Sequence, residues 1–280
     1  MRSALTLNIF LSGATLSVNQ APKRHKDLAM VDKRCALVTN ACDFAGPAAV
    51  AALSAANFQV VAHDRSFVED HQRANFQHRH PHAILFDEQE PEALVEAVWT
   101  RVGAVEVLVS NDHHPARHVD IESASISDLQ ANLDMLVVRP FRLIKAVVPY
   151  FRAAKSGRIV LITSCRTKLP MAGGAAPDAA RDAANALVRS LAIDLAPQGI
   201  PVNAVAPNYL YSEAYYPHAT FVDAPSGRAY VEAVVPVGRL GRQEEIGEVI
   251  AFLATNDASF LTGAIIDFAG GWPVAPKRPG

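Results

Sequence analysis

The stretch TNACDFAG, residues 39–46, lies between a short apolar run, CALV (35–38), and an alanine-rich helical pattern, PAAVAALSAANF (47–58). Strand, turn and helix in that order form the unit that cradles a nucleotide phosphate, because backbone N–H groups converge at the helix N-terminus. Such a turn ordinarily uses glycine, whose missing Cβ lets backbone approach phosphate. Set against T-G-x-x-x-G-x-G, the three glycines fall on Asn40, Phe44 and Gly46, and only Gly46 is glycine. Phe44 puts a bulky ring where backbone would meet phosphate, which predicts a turn that does not take a dinucleotide. The alternative is that Phe44 packs inward beside a degenerate nucleotide site. Asp64, at the end of the next strand, stands where a ribose would be held, but Asp is also common at strand ends and helix caps.

Outward from this turn the chain alternates. Strands are expected at 35–39, 59–64, 82–86, 105–111, 158–164, 200–207 and 263–268. Helices are expected at 46–56, near 66–76, at 91–102, over a long span of 126–153, at 177–196 and at 243–255, with a loop of about 30 residues after the sixth strand. The strands are unbroken apolar runs, which suits strands covered on both faces. The alternation predicts a Rossmann-like, three-layer α/β/α fold with a doubly wound, parallel, seven-stranded sheet in a single domain over 30–280. Residues 1–29 read as an extension without ordered structure, or as the product of an upstream start codon. Their faint likeness to a signal peptide is broken by Asn8, Ser12 and Ser17.

Composition narrows the functions. Half of the 280 residues are apolar and the formal net charge is −2, so nothing points to nucleic acid or to a solvated tail. No apolar run reaches membrane-spanning length. Three cysteines, Cys35, Cys42 and Cys165, are no disulfide framework and favour a reducing, cytoplasmic setting. The histidines in HQRANFQHRHPH (71–82) lack cysteines or carboxylates at ligand spacing, so no metal site is expected.

In doubly wound sheets the ligand lies beyond the carboxyl ends of the strands. The segments there are TNACDFAG, HDRSF (63–67), SNDHH (110–114), SCRTK (164–168) and PNYLYSEAYYP (207–217). Together with SLAIDLAPQGIPVNAVAP (190–207) and the terminal LTGAIIDFAGGWP, they resemble the short-chain dehydrogenase/reductase superfamily over essentially all of 33–273. More narrowly they resemble its halohydrin dehalogenase branch, which has lost the nicotinamide cofactor. That branch carries T-x4-(F/Y)-x-G at the first turn, matched by Thr39, Phe44 and Gly46, and an Asn-Tyr-Leu segment after the sixth strand, matched by Asn208, Tyr209 and Leu210. HDRSF and VVRPF (137–141) add to the similarity.

The resemblance implies a halide or small-anion pocket in place of the cofactor, drawn from Thr39, Phe44, Pro207, Asn208, Tyr209 and Leu210. It implies a Ser, Tyr and Arg that convert vicinal haloalcohols to epoxides. The Ser falls on Ser164 and the Arg on Arg181, but the Tyr position is Pro177, and no tyrosine occurs between Tyr150 and Tyr209. A proline suits a helix's first turn, and without the Tyr a routine Arg181–Asp178 pair at i,i+3 is the plain alternative for Arg181. Near the same rim, Asp178 is about 100° round the helix and a weak base for an alcohol, His113 and His114 have side chains that titrate nearer neutrality, and Cys165 faces away from Ser164, while the resemblance places the loop tyrosines Tyr209, Tyr211, Tyr215 and Tyr216 in the anion pocket. Three functions follow: a dehalogenase-type lyase without cofactor, impaired or not; an NAD(P)-dependent oxidoreductase; and a non-catalytic binding homologue. The resemblance implies a homotetramer assembled through the two long helices, and the small-residue face AARDAANALVRSLA allows close helix approach.

Overall fold

The computed structural model describes residues 34–275. The extension expected over 1–29 lies outside the described residues. Seven strands form one parallel sheet: β1 (Cys35–Val38), β2 (Gln59–His63), β3 (Ile84–Phe86), β4 (Val107–Ser110), β5 (Arg158–Ile162), β6 (Val202–Pro207) and β7 (Ile265–Phe268), in the spatial order β3-β2-β1-β4-β5-β6-β7. The order reverses at β1, which pairs with β2 on one side and β4 on the other, Val38 standing opposite both Ala62 and Val109. The crevice between the carboxyl ends of β1 and β4 is the switch point where such sheets bind ligands.

The helices are α1 (Gly46–Ala55), α2 (Asp70–Arg79), α3 (Pro91–Val102), α4 (Ile126–Leu133), α5 (Arg139–Ala154), α6 (Ala175–Leu195), α7 (Pro225–Val234) and α8 (Gln243–Thr255). Alternate strand residues face opposite layers. Val38, Val60, Val109, Val160 and Val205 pack on Ala49, Leu53, Ile250 and Leu253 of α1 and α8. Leu37, Val61, Leu108, Ile159 and Ala204 pack on Leu94, Val98, Val147, Phe151 and Val188 of α3, α5 and α6. This is the three-layer α/β/α arrangement read from the sequence. β7, at the sheet edge, is only half-buried.

Two elements differ from the sequence reading. The helix expected over 126–153 is interrupted by a π-turn at Asp134–Val138. Pro140 in VVRPF has no N–H to give, and its ring crowds the carbonyl one turn back, so a wider turn relieves the clash. The loop expected after β6 carries α7, whose buried residues are only Gly227 and Val231. Among the described residues, no helix is long and apolar enough to cross a membrane.

Candidate active site

The turn after β1 keeps the shape of a glycine turn without its glycines. Asn40 and Phe44, at the two substituted positions, have φ of 47° and 52°, in the left-handed region. A non-glycine residue there costs about 1–2 kcal/mol, so the neighbourhood must hold the turn in place. Asn111, just past β4, donates its side-chain amide to Asn40 O (2.9 Å) and Asp43 O (3.0 Å). Phe44 N–H donates to Asp43 Oδ1 at 2.6 Å. The Phe44 ring packs on Tyr215 (centroids 5.1 Å apart, edge-on) and on His113 (5.6 Å). Gly46 is needed for close approach: a Cβ there would lie 2.4 Å from Asn40 O.

Three amides of the turn are bonded within the protein. Ala41 N–H donates to His63 O, Cys42 N–H to Asp64 Oδ2, and Gly46 N–H to Asp43 O, each at 2.9 Å. Asp64 Oδ1 accepts from both the backbone N–H and the hydroxyl of Ser66 (2.9 and 2.7 Å). Asp64 therefore ties the first two loops together. Thr39, expected in the anion pocket, is buried behind it; its hydroxyl accepts Asn111 N–H at 3.1 Å. Thr39 does not wall the cavity that lies beyond the turn.

Beyond the turn lies a cavity of about 640 Å³, walled by Phe44, Ser110, Asp112, His113, Ser164, Arg166, Arg181, Pro207, Asn208, Tyr209, Leu210, Tyr215 and Trp272 among others. Ser164 follows β5. Its hydroxyl donates to Pro207 O and accepts Arg166 N–H, both at 3.2 Å. Asn185 of α6 donates to its carbonyl at 2.9 Å.

Arg181 is buried on α6. It donates to Pro177 O (2.9 Å), to His114 O (3.0 Å) and toward Tyr215 Oη (3.5 Å). Pro177 thus serves the guanidinium through its backbone carbonyl and is not a wall of the cavity. The expected Arg181–Asp178 pair does not form, because Asp178 is taken by Arg166 at 2.5 Å. Among the described residues no carboxylate lies within ion-pair distance of Arg181, and burial pushes its pKa down. A buried guanidinium held only by carbonyls and a phenol leaves uncompensated positive charge beside the cavity.

The loop after β6 supplies aromatic walls. Asn208 Oδ1 accepts Tyr209 N–H (3.1 Å) and the Tyr216 hydroxyl (2.9 Å). Tyr209, at φ 57°, meets Trp272 edge-on at 5.8 Å, and its hydroxyl lies 3.2 Å from that of Tyr230. Burial pushes the Tyr209 and Tyr216 phenols well above their usual range. The Tyr215 hydroxyl donates to His114 O at 2.7 Å. Burial raises its pKa, and the Arg181 guanidinium opposes that rise.

Several wall groups escaped the sequence reading. Asp112 is buried beside the cavity, accepting the Ser110 hydroxyl (2.5 Å) and the Asn40 amide (2.9 Å), with Arg139 Nε at 4.0 Å. Asp112 lies in SNDHH and Arg139 in VVRPF, and sequence does not show that these two segments meet. Of the other candidate bases, His113 lines the cavity, while His114 contributes its carbonyl. Cys165 is buried among Ala206, Tyr209 and Val231. Among the described residues no group of His, Cys, Asp or Glu is placed to hold a metal.

Residues 45–273 match the family model described as enoyl-(acyl carrier protein) reductase. The chain belongs to the short-chain dehydrogenase/reductase superfamily. It is 36% identical to a halohydrin dehalogenase solved bound to ethyl (2S)-oxiran-2-ylacetate, covering 88% of this chain and 100% of that one, with a TM-score of 0.85. It is 38% identical to a structure described as a dehalogenation enzyme, covering 86% of this chain and 98% of that one, with a TM-score of 0.83. Among curated superfamily members, it is 34% identical over 185 residues to the 3-oxoacyl-(acyl-carrier-protein) reductase of Salmonella typhimurium, covering 64% of this chain and 71% of the relative.

Proposed function

We propose that the cavity is a dehalogenase-type lyase site, converting vicinal haloalcohols to epoxide and halide and, in reverse, opening epoxides with small anions. The observation that carries this reading is the company of Ser164 and Arg181. A hydroxyl and a buried guanidinium without an ion-paired carboxylate share one cavity behind a turn in which the Ala41, Cys42 and Gly46 amides are already bonded within the protein. Small anions suit such a site. A nicotinamide dinucleotide does not, since Phe44 fills the approach to the turn and Asp64 is engaged by the turn itself. The 36–38% identity to the two dehalogenase structures supports the same reading.

The residues present divide the work. Ser164 orients the substrate hydroxyl. Arg181 stabilises negative charge as a proton leaves that hydroxyl. The resulting alkoxide attacks the neighbouring carbon, and halide departs into the aromatic pocket of Asn208, Tyr209 and Leu210. Pro177 supplies no ionisable group.

The superfamily's reductases, such as the Salmonella relative, make an NAD(P)-dependent oxidoreductase the second reading. Against it, two of the turn's three glycines are replaced, by Asn40 and Phe44, and the first turn of α6 has no Tyr. The two readings separate on bromide release from ethylene bromohydrin, followed without added cofactor. Release that is lost in Ser164→Ala supports the lyase; NADPH consumption with a ketone, and no bromide release, supports the oxidoreductase. A homotetramer in a cytoplasmic setting completes the proposal.

A further inference from the structure

The lost helix tyrosine leaves a chemical gap. A haloalcohol hydroxyl must give up its proton, and neither Ser164 nor Arg181 accepts one near neutrality. The loop after β6 brings a phenol to the same guanidinium. Tyr215 Oη lies 3.5 Å from Arg181 Nη2, and both groups contact the carbonyl of His114, at 2.7 and 3.0 Å. The guanidinium carbon also sits 6.0 Å from the Tyr215 ring centroid. The ring is held from two other sides, edge-on to Phe44 and 6.3 Å from His113. Tyr215, Arg181 and Ser164 line one cavity.

We infer that Tyr215, delivered by the loop, is the proton acceptor that replaces the missing tyrosine at position 177. This rests on the dehalogenase reading. In the step, Tyr215 phenolate takes the proton of the substrate hydroxyl, oriented by Ser164. The oxygen's electron pair forms the new C–O bond as the carbon–halogen bond breaks, and halide leaves with that bond's pair. Tyr215 then returns its proton to water, so haloalcohol yields epoxide, halide and one proton. Arg181 holds the phenolate charge, and Phe44 positions the ring through edge-on packing. The substituted turn and the displaced base are then one arrangement, since the residue that fills the dinucleotide's place also holds the phenol.

The groups facing Tyr215 set its titration. They are Arg181 from α6, His113 and His114 from the segment after β4, and Asp43 from the first turn. Burial, the largest influence, raises the Tyr215 pKa and Asp43 adds to the rise, while Arg181 opposes it and favours the phenolate.

The test follows bromide release from ethylene bromohydrin by wild type, Tyr215→Phe and His113→Gln, each first shown by circular dichroism to be folded. Tyr215→Phe should lower kcat by about 10²-fold or more, the range for a lost acid–base group. KM should move little, and the rise of kcat with pH should vanish. His113→Gln should retain that rise. Retention of wild-type kcat by Tyr215→Phe, with loss in His113→Gln, overturns the assignment and leaves the lyase reading standing. No release by the wild type removes the lyase reading and this step together.

A second measurement is independent of turnover. The near-ultraviolet difference between wild type and Tyr215→Phe isolates the Tyr215 phenolate. Its midpoint should move to higher pH in Arg181→Met. An unmoved midpoint overturns the pairing.

Discussion

Asp112→Ala is expected to destabilise the protein by about 3–5 kcal/mol. Asp112 and Arg139 are 6% and 7% exposed, and Arg139 Nε has no other partner, standing 4.0 Å from Asp112 Oδ1. At an effective dielectric of about 20, unit charges 4 Å apart interact by about 4 kcal/mol. Removing one partner of a buried pair costs about 3–5 kcal/mol, because the other charge stays buried without compensation. Arg139 keeps its bond to Gln89 O at 3.0 Å, which limits the loss. The Asn40 amide loses its better acceptor, so the first turn should loosen as well. At about 2–4 °C per kcal/mol for a chain of this size, Tm should fall by about 6–20 °C. Thermal melting followed by circular dichroism at pH 7 and fixed protein concentration reads this directly. Arg139→Met placed on Asp112→Ala should recover part of the loss, since it removes the stranded charge. A Tm within about 2 °C of wild type for Asp112→Ala would refute the reasoning.

Two further outcomes follow from buried groups. His63 is fully buried, Nε2 donating to Glu88 O at 2.9 Å while Nδ1 has no partner, and burial pushes its pKa below the ordinary value. Its folded value is below its unfolded value of about 6.5, so its contribution is complete above that pH and is lost as pH falls through the folded value. Between pH 7.5 and 5, stability should fall by up to about 1.4 kcal/mol per pH unit from this group, and His63→Gln should flatten the slope of Tm against pH; equal slopes would contradict it. Gly46→Ala should lower stability by about 1–3 kcal/mol, because its Cβ would meet Asn40 O at 2.4 Å and the Ala41 Cα at 2.8 Å, both backbone atoms. A melting curve unchanged by Gly46→Ala would show that the turn yields more easily than this packing implies.

The sheet was legible because its strands are unbroken apolar runs between helical periods. CALV, VVAH and VNAVAP are too short for buried helices and lie between helical patterns, which favours strands covered on both faces. Ser164 and Arg181 were reached through the family resemblance, registered backward from VNAVAP, and both line the cavity together with residues 208–210. What sequence could not show depends on side-chain direction and loop path. Thr39 turns toward Asn111. Arg166, twelve residues before Asp178, takes the carboxylate that an i,i+3 rule assigned to Arg181. Tyr215 reaches Arg181 through a loop whose course no periodicity encodes. Asn40 and Phe44 hold left-handed conformations; Asn tolerates that region, but Phe does not, and Asn111 and the packed rings hold the turn in place.

The most direct measurement is an anomalous difference map from crystals grown with NADPH and then soaked in bromide. The account predicts a bromide peak beside Asn208 and Tyr209 and no coenzyme density over residues 39–46. Ordered NADPH lying across that turn, with the Phe44 ring swung aside and no bromide in the cavity, would contradict it.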